Sequence, residues 1–154
     1  ARTVLWAREL HLLLPTLLAG GEPVVAADGA FDAGRALDEL ARHRATHAFL
    51  VTADAQALLD VCTRRGTTLP PTLRHLVLGA APVHAGFLAR LRAALAPGAT
   101  ATAVYGLTEW LPVAAARLDE KVAWTGDGDL LGRPVPGVEA RVADDWELVL
   151  RAPH

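Results

Sequence analysis

The sequence predicts an α/β fold: a mostly parallel sheet flanked by helices, with a short β-rich C-terminal portion. Three observations carry that expectation. Short apolar runs alternate with helical patterns of about a dozen residues from Pro23 to Tyr105, as they do when helices cross over between parallel strands. Glycine, proline or aspartate punctuates nearly every junction, as turns require. Beyond Gly137 the pattern changes to two short runs around Asp144-Asp145, which read as an antiparallel hairpin.

Each element has its own local reason. Apolar positions from Val4 to Leu18 recur at roughly helical spacing and stop at Gly20-Gly21, so a first helix is expected there. Pro23 to Ala27 is a buried strand closed by Asp28-Gly29. Asp32 is placed to cap a helix whose apolar stripe is Ala33, Ala36, Leu37, Leu40 and Ala41, ending near His43. A strand over Ala48 to Val51 leads to a helix over Asp54 to Arg65, with Leu58, Leu59 and Cys62 on one face and Gly66 as its stop. The strand Leu73 to Leu78 runs into the small-residue turn Gly79-Ala80-Ala81-Pro82. A helix over His84 to Ala96 then ends at Pro97-Gly98, and Thr100 to Tyr105 is the last strand of the series. Val138 to Val142 and Glu147 to Leu150 form the hairpin. The expected division is 1–127 for a partial α/β nucleotide-binding subdomain and 128–154 for the start of a β-rich one.

Composition removes several function classes. With 154 residues, 52% hydrophobic and 21% charged, the chain can cover a core of its own. Its longest strongly apolar stretch, Leu10 to Ala19, is broken by His11 and Pro15 and is shorter than the roughly 20 residues of a bilayer span. A net charge of -2, with arginines scattered among acids, speaks against nucleic acid as a partner. There is no basic leader pattern, and Cys62 stands alone, so a cytoplasmic location is the expectation. Without serine there is no G-x-S-x-G elbow, and Lys121, the only lysine, follows no glycine-rich phosphate loop. The absence of methionine marks the chain, at sequence level, as processed or as a fragment of a longer protein.

In a parallel sheet, ligands bind beyond the carboxyl ends of the strands, so the segments after Leu78 and after Val104 should face one crevice. Tyr105-Gly106-Leu107-Thr108-Glu109 concentrates chemistry there. A tyrosine ring can stack on a base, and the glycine lets backbone approach a ligand. Thr108 adds a hydroxyl, and Glu109 offers the hard oxygen that Mg²⁺ takes beside substrate phosphates. Taken singly, Tyr105 and Trp110 read as core or rim aromatics, and Glu109 as a solvated charge. His43 and His47 stand four apart with no third ligand evident, so they read as a helix end and a strand entry rather than zinc ligands. Cys62, on an apolar face, reads as a buried small hydrophobe.

Three segments in order resemble the adenylate-forming superfamily of acyl-CoA synthetases, luciferases and nonribosomal-peptide adenylation domains: Leu76 to Val83, Tyr105 to Glu109, and Gly132 to Gly137 followed by Glu147-Leu148-Val149. Similarity extends to Phe31-Asp32 and Thr46-His47, covering nearly the whole chain. Glu109 to Ala114 and Gly132 to Gly137 are most similar to the olefin-pathway branch, which makes β-lactones from β-hydroxy acids.

The resemblance implies an ATP-dependent ligase joining a carboxylic acid to AMP and releasing pyrophosphate, with a fatty or β-hydroxy acid as substrate and an acyl-CoA or β-lactone product. Gly79, Ala80, Ala81 and Pro82 would border adenine and Tyr105 would stack on it. Gly106 and Leu107 would lie with them. Thr108 would touch phosphate, Glu109 would bind Mg²⁺, and Leu107 with Trp110 would shape the acyl pocket. The family's phosphate loop, ribose-binding aspartate, hinge and catalytic lysine have no match here, so the chain alone is expected to be inactive and to need the remainder of a parent enzyme. Thr125-Gly126-Asp127 imitates the ribose motif out of order, and Lys121 matches no lysine motif. Trp146 stands where the family has the glycine of G-E-L, a position at which a bulky residue resists positive φ. The alternatives are a noncatalytic nucleotide-binding or scaffold module, and a dinucleotide-binding oxidoreductase. The latter is disfavoured because no G-x-G-x-x-G follows an early strand.

Overall fold

The computed structural model describes residues 2–9, 12–26 and 29–151. In chain order the elements are β1 (Val4–Ala7), α1 (Leu13–Leu18), β2 (Glu22–Val25), α2 (Ala33–Arg42), β3 (His47–Val51), α3 (Thr52–Arg65), β4 (His75–Gly79), α4 (Ala85–Ala94), β5 (Thr100–Tyr105), β6 (Ala114–Arg117), α5 (Leu118–Ala123), β7 (Arg133–Pro134), β8 (Glu139–Val142) and β9 (Leu148–Arg151). Seven strands form one sheet in the order β2-β1-β3-β4-β5-β6-β7, and β8 with β9 forms the expected hairpin. The pairings from β2 through β5 are parallel; β6 and β7 join antiparallel.

The single helix expected over Val4 to Leu18 is half wrong. Val4–Ala7 is instead a strand hydrogen-bonded on both sides, to β2 and β3. A four-residue apolar run does not distinguish helix from strand by periodicity. Here Trp6 and Ala7, each 1% exposed, are buried by a sheet interior that no local signal reveals. The helical half survives as α1, which Gly20 ends at φ 72 while the Gly21 amide donates to the Thr16 carbonyl. Of the Asp28-Gly29 turn predicted after β2, Asp28 lies outside the described residues.

The remaining expectations for the parallel sheet hold. The Asp32 carboxylate caps α2 by accepting from the Arg35 amide at 3.0 Å, and Gly66, at φ 62, ends α3. Residues from α2, α3 and α4 pack Leu37, Leu40, Leu58, Leu88 and Leu91 onto Trp6, Leu50, Leu76 and Leu78 of the sheet. No residue of α1 belongs to that cluster. The strand order explains why: β1 to β2 steps in the opposite direction from β3 to β5, and right-handed crossovers then put α1 on the other face.

Within this core the indole N–H of Trp6 donates to Glu39 Oε2 at 3.0 Å, and Arg35 Nε donates to the other carboxylate oxygen at 3.0 Å. Burial raises the Glu39 pKa, but these two bonds outweigh it and leave the carboxyl below its ordinary range.

Three elements, β6, α5 and β7, were not expected from the sequence. The alanine run of β6 has little intrinsic strand preference; its pairing with β5 is a tertiary effect. The two-residue β7 adds to β6 because Gly132, at φ 91, turns the chain hard against it: an added Cβ would lie 2.0 Å from the Ala115 carbonyl oxygen.

Trp146 adopts φ 69 despite its bulk. The β8–β9 turn closes through Ala143 N to Glu147 O at 2.8 Å and Trp146 N to Ala143 O at 3.0 Å, while the indole, 88% exposed, meets no crowding that would forbid the conformation. Among the described residues no helix is long and apolar enough to cross a membrane.

Candidate functional site

Strands β4 and β5 are parallel neighbours, registered from His75↔Thr100 to Leu78↔Ala103. Their carboxyl ends therefore deliver the Gly79–Pro82 and Tyr105–Glu109 turns side by side. Between them lies a cavity of about 280 Å³ lined by Ala80, Ala81, Pro82, Val83, Tyr105, Gly106 and others. A volume of this size suits one flat heterocycle better than a whole nucleotide.

The first turn is built by its neighbours. Gly79 is buried beneath the cavity, and a Cβ there would lie 3.1 Å from the Phe49 ring and 3.3 Å from Val104. Ala80 then takes φ 68, a conformation uncommon for alanine, which rotates the chain outward. The buried hydroxyl of Thr52, the first residue of α3, spans the Gly79 and Ala81 carbonyls at 3.3 and 3.2 Å. Thr52 thus pins the turn, a role that sequence reasoning did not assign.

The second turn is a tight excursion between β5 and β6. Val113 N donates to Tyr105 O at 2.7 Å, and Leu107 and Trp110 exchange backbone hydrogen bonds at 2.8 and 3.1 Å. Thr108 and Glu109 consequently sit at the tip, both exposed, beside exposed Leu107 and half-buried Trp110. Gly106 is required at the neck, since a Cβ there would come 3.0 Å from the Trp110 carbonyl and 2.4 Å from Leu111 Cδ1.

Of the sequence-predicted residues, Ala80, Ala81, Pro82, Tyr105 and Gly106 meet at the cavity. Gly79 underlies it, whereas Leu107, Thr108 and Glu109 stand outside its lining on the neighbouring tip.

The sequence missed the opposite wall, formed by Lys121, Asp129, Leu130 and Leu131. The Lys121 side chain is 3% exposed; its ammonium donates to Asp129 Oδ1 and to the Leu130 carbonyl at 2.8 Å. The other Asp129 oxygen accepts from the Val83 amide at 3.4 Å. Only its being the one lysine distinguished Lys121 in the sequence. Trp124 and Gly126 pack together, with Gly126 so close to the indole that a Cβ would meet it at 2.3 Å. The apparent T-G-D motif is thus part of a folded loop.

At the other end of the sheet, His47 and His75 face each other across β3 and β4 with ring centroids 6.0 Å apart. Burial lowers both pKa values, Arg74 adding to the effect on His47, and His47 and Arg117 to that on His75. His43 ends α2. Burial also pushes the Cys62 thiol up, away from nucleophilic character.

Comparison with known proteins assigns the family. A family model described as "AMP-binding enzyme" matches residues 4–154. The chain belongs to the AMP-binding enzyme family. Solved structures with the same fold include a long-chain-fatty-acid-CoA ligase, FadD1, from Archaeoglobus fulgidus, at TM-score 0.79 and 19% identity over 97% of this chain and 34% of that one. Another is the o-succinylbenzoate CoA synthetase MenE from Bacillus subtilis in complex with ATP and magnesium ion, at TM-score 0.76 and 19% identity over 96% of this chain and 30% of that one. VinN in complex with L-aspartate is 25% identical, at TM-score 0.75, over 93% of this chain and 36% of that one. This member of the AMP-binding family therefore spans about a third of the length of these structures. The comparison with curated proteins finds no match.

Proposed function

We propose that this chain supplies the adenine side of the active site of an ATP-dependent carboxylate-activating ligase, working as part of a longer parent enzyme. The observation that carries the reading is the convergence of residues 80–82 and 105–106 on one cavity from adjacent parallel strands. Family membership over 4–154 and the ATP–magnesium complex of MenE support it.

In this reading the Gly79–Pro82 backbone and the Tyr105 ring sandwich adenine, and Gly106 and Leu107 border it. The phosphates extend toward the 107–110 tip, where the Thr108 hydroxyl contacts them. The substrate carboxylate attacks the α-phosphorus, a new P–O bond forms, and the bond to the β-phosphate oxygen breaks, releasing pyrophosphate and leaving acyl-AMP. Positioning and charge stabilisation, not covalent chemistry, are what the protein contributes.

Exposed at the tip, the Glu109 carboxylate offers the hard oxygen that Mg²⁺ takes, and it would hold the ion together with phosphate oxygens. Bound there, it would neutralise charge building on the phosphates. Leu107 and Trp110, beside the nucleotide contacts, would shape the acyl pocket. The segments Glu109–Ala114 and Gly132–Gly137 favour a fatty or β-hydroxy acid, with an acyl-CoA or β-lactone product, and a cytoplasmic setting suits such an enzyme.

Titration calorimetry and turnover of the parent enzyme test this. Replacing Tyr105 with Ala should weaken ATP binding about tenfold, as loss of one base-stacking partner does. Glu109→Ala should abolish most magnesium-dependent acyl-AMP formation. Unchanged binding and turnover in both variants would refute the proposal. Nucleotide binding without any pyrophosphate release would favour the noncatalytic nucleotide-binding module instead.

A further inference from the structure

The Lys121–Asp129 pair is an odd investment for stability alone. The Lys121 side chain is 3% exposed while that of Asp129 keeps 25%, so the lysine loses most of its hydration to a pair that seldom gains net stability over apolar residues of similar size. Its location is more informative than its energy. Lys121 sits on α5, Asp129 on the segment leading to β7, and the Asp129 carboxylate reaches on to the Val83 amide, one residue past the Gly79–Pro82 turn. The Lys121 ammonium also binds the Leu130 carbonyl. Three separate segments are thereby tied at one point.

That point is a partition. On one side lies the 280 Å³ cavity, walled by Pro82, Tyr105 and Leu131. On the other lies a cavity of about 510 Å³ that reaches Trp124, His84 and Leu88. Lys121, Asp129, Leu130, Val83 and Pro82 line both. No sheet pairing joins the 129–131 segment to the 80–83 turn; the Asp129 carboxylate joins them by a hydrogen bond from the Val83 amide.

We propose that Lys121 and Asp129 are positioning residues that clamp the 129–131 segment against the 80–83 turn and so set the width of the adenine-sized cavity. This rests on the nucleotide reading above and deepens it. Lys121 does not reach the reacting phosphate in this scheme. It orients Asp129, which holds the turn at the distance a purine ring requires. Loss of the clamp joins the two cavities, and the ring then lacks one wall.

The test uses the parent enzyme with MgATP as probe and three variants: Lys121→Met, Lys121→Arg, and the double variant Lys121→Met with Asp129→Leu. Lys121→Met should raise the ATP Kd and KM about tenfold while kcat stays within about twofold, and amide exchange in the 79–83 segment should quicken. Arginine, which can still donate to Asp129, should restore most of the affinity. The double variant decides between positioning and mere stability. Removing both charges should recover the Tm lost in the single variant, because the part-exposed Asp129 carboxylate no longer stands without its partner. Weak ATP binding and fast 79–83 exchange should persist, because the tie to Val83 is gone. If affinity recovers together with Tm, or if Lys121→Met leaves both Kd and 79–83 exchange unchanged, the proposal is overturned. Should the unaltered parent bind no MgATP at all, the nucleotide reading itself fails and this inference falls with it.

Discussion

Replacing Gly132 with Ala, measured against Gly128→Ala as an internal control, separates backbone strain from steric exclusion. Both glycines have positive φ, 91 and 79, so both substitutions pay the cost of a left-handed alanine, about 1 kcal/mol. Only at position 132 does a Cβ collide: it would lie 2.0 Å from the Ala115 carbonyl oxygen, 2.2 Å from its carbon and 2.5 Å from the Ala116 nitrogen, whereas nothing lies within 4 Å at Gly128. Ordinary contact needs roughly 3.5 Å, and the obstructing atoms are strand backbone that no rotamer change can move. The overlap should add about 2 kcal/mol, within the range for overpacked sites. Because the β6–β7 ladder is only two residue pairs long, β7 should detach from the sheet edge. For a chain of this size the totals correspond to a Tm lower by about 9 °C for Gly132→Ala and about 3 °C for Gly128→Ala. Thermal melts followed by far-UV circular dichroism read both. Equal losses at the two positions would refute the steric argument.

Other consequences can be checked on the same protein. Trp146→Gly should raise stability by about 0.5–1 kcal/mol in urea titration, because it relieves φ 69 at a side chain that is 88% exposed and packs little. Glu39→Ala should cost about 2–3 kcal/mol by the same measurement, since the Trp6 indole N–H, in a residue 1% exposed, would lose its acceptor. Acidification should destabilise the fold through His47 and His75. Their folded pKa values lie below the ordinary 6.5, so the unfolded chain binds protons first, and stability is full above that pH and falls as pH drops through it. A Tm decline between about pH 7.5 and 5.5 is expected, and His75→Gln should flatten it. Gly106→Ala should disturb the 105–113 excursion through its 3.0 Å approach to the Trp110 carbonyl, reducing turnover of the parent enzyme at least tenfold with little change in Tm.

How far the sequence carries can be judged element by element. The α2 helix was legible because Asp32 and the spacing of Leu37 and Leu40 are local facts, and local facts survive folding. The alternation that ends at Leu78 and Tyr105 fixed two parallel strands, and with them the shared crevice, since neighbouring parallel strands must present their carboxyl ends on the same side.

Val4–Ala7 was misread because an apolar tetrad carries no period, and only its seat between β2 and β3 makes it a strand. β6 escaped notice because alanine has no preference for the sheet that captures it. The far wall of the cavity, Lys121 with Asp129, lay beyond reach for a deeper reason. A long-range ion pair between an α5 helix and a loop has no periodicity, propensity or spacing to betray it; it exists only once the sheet has brought residues 83, 121 and 129 to one place. The sequence by itself determined which turns face the crevice, and tertiary packing alone decided what closes it from the other side.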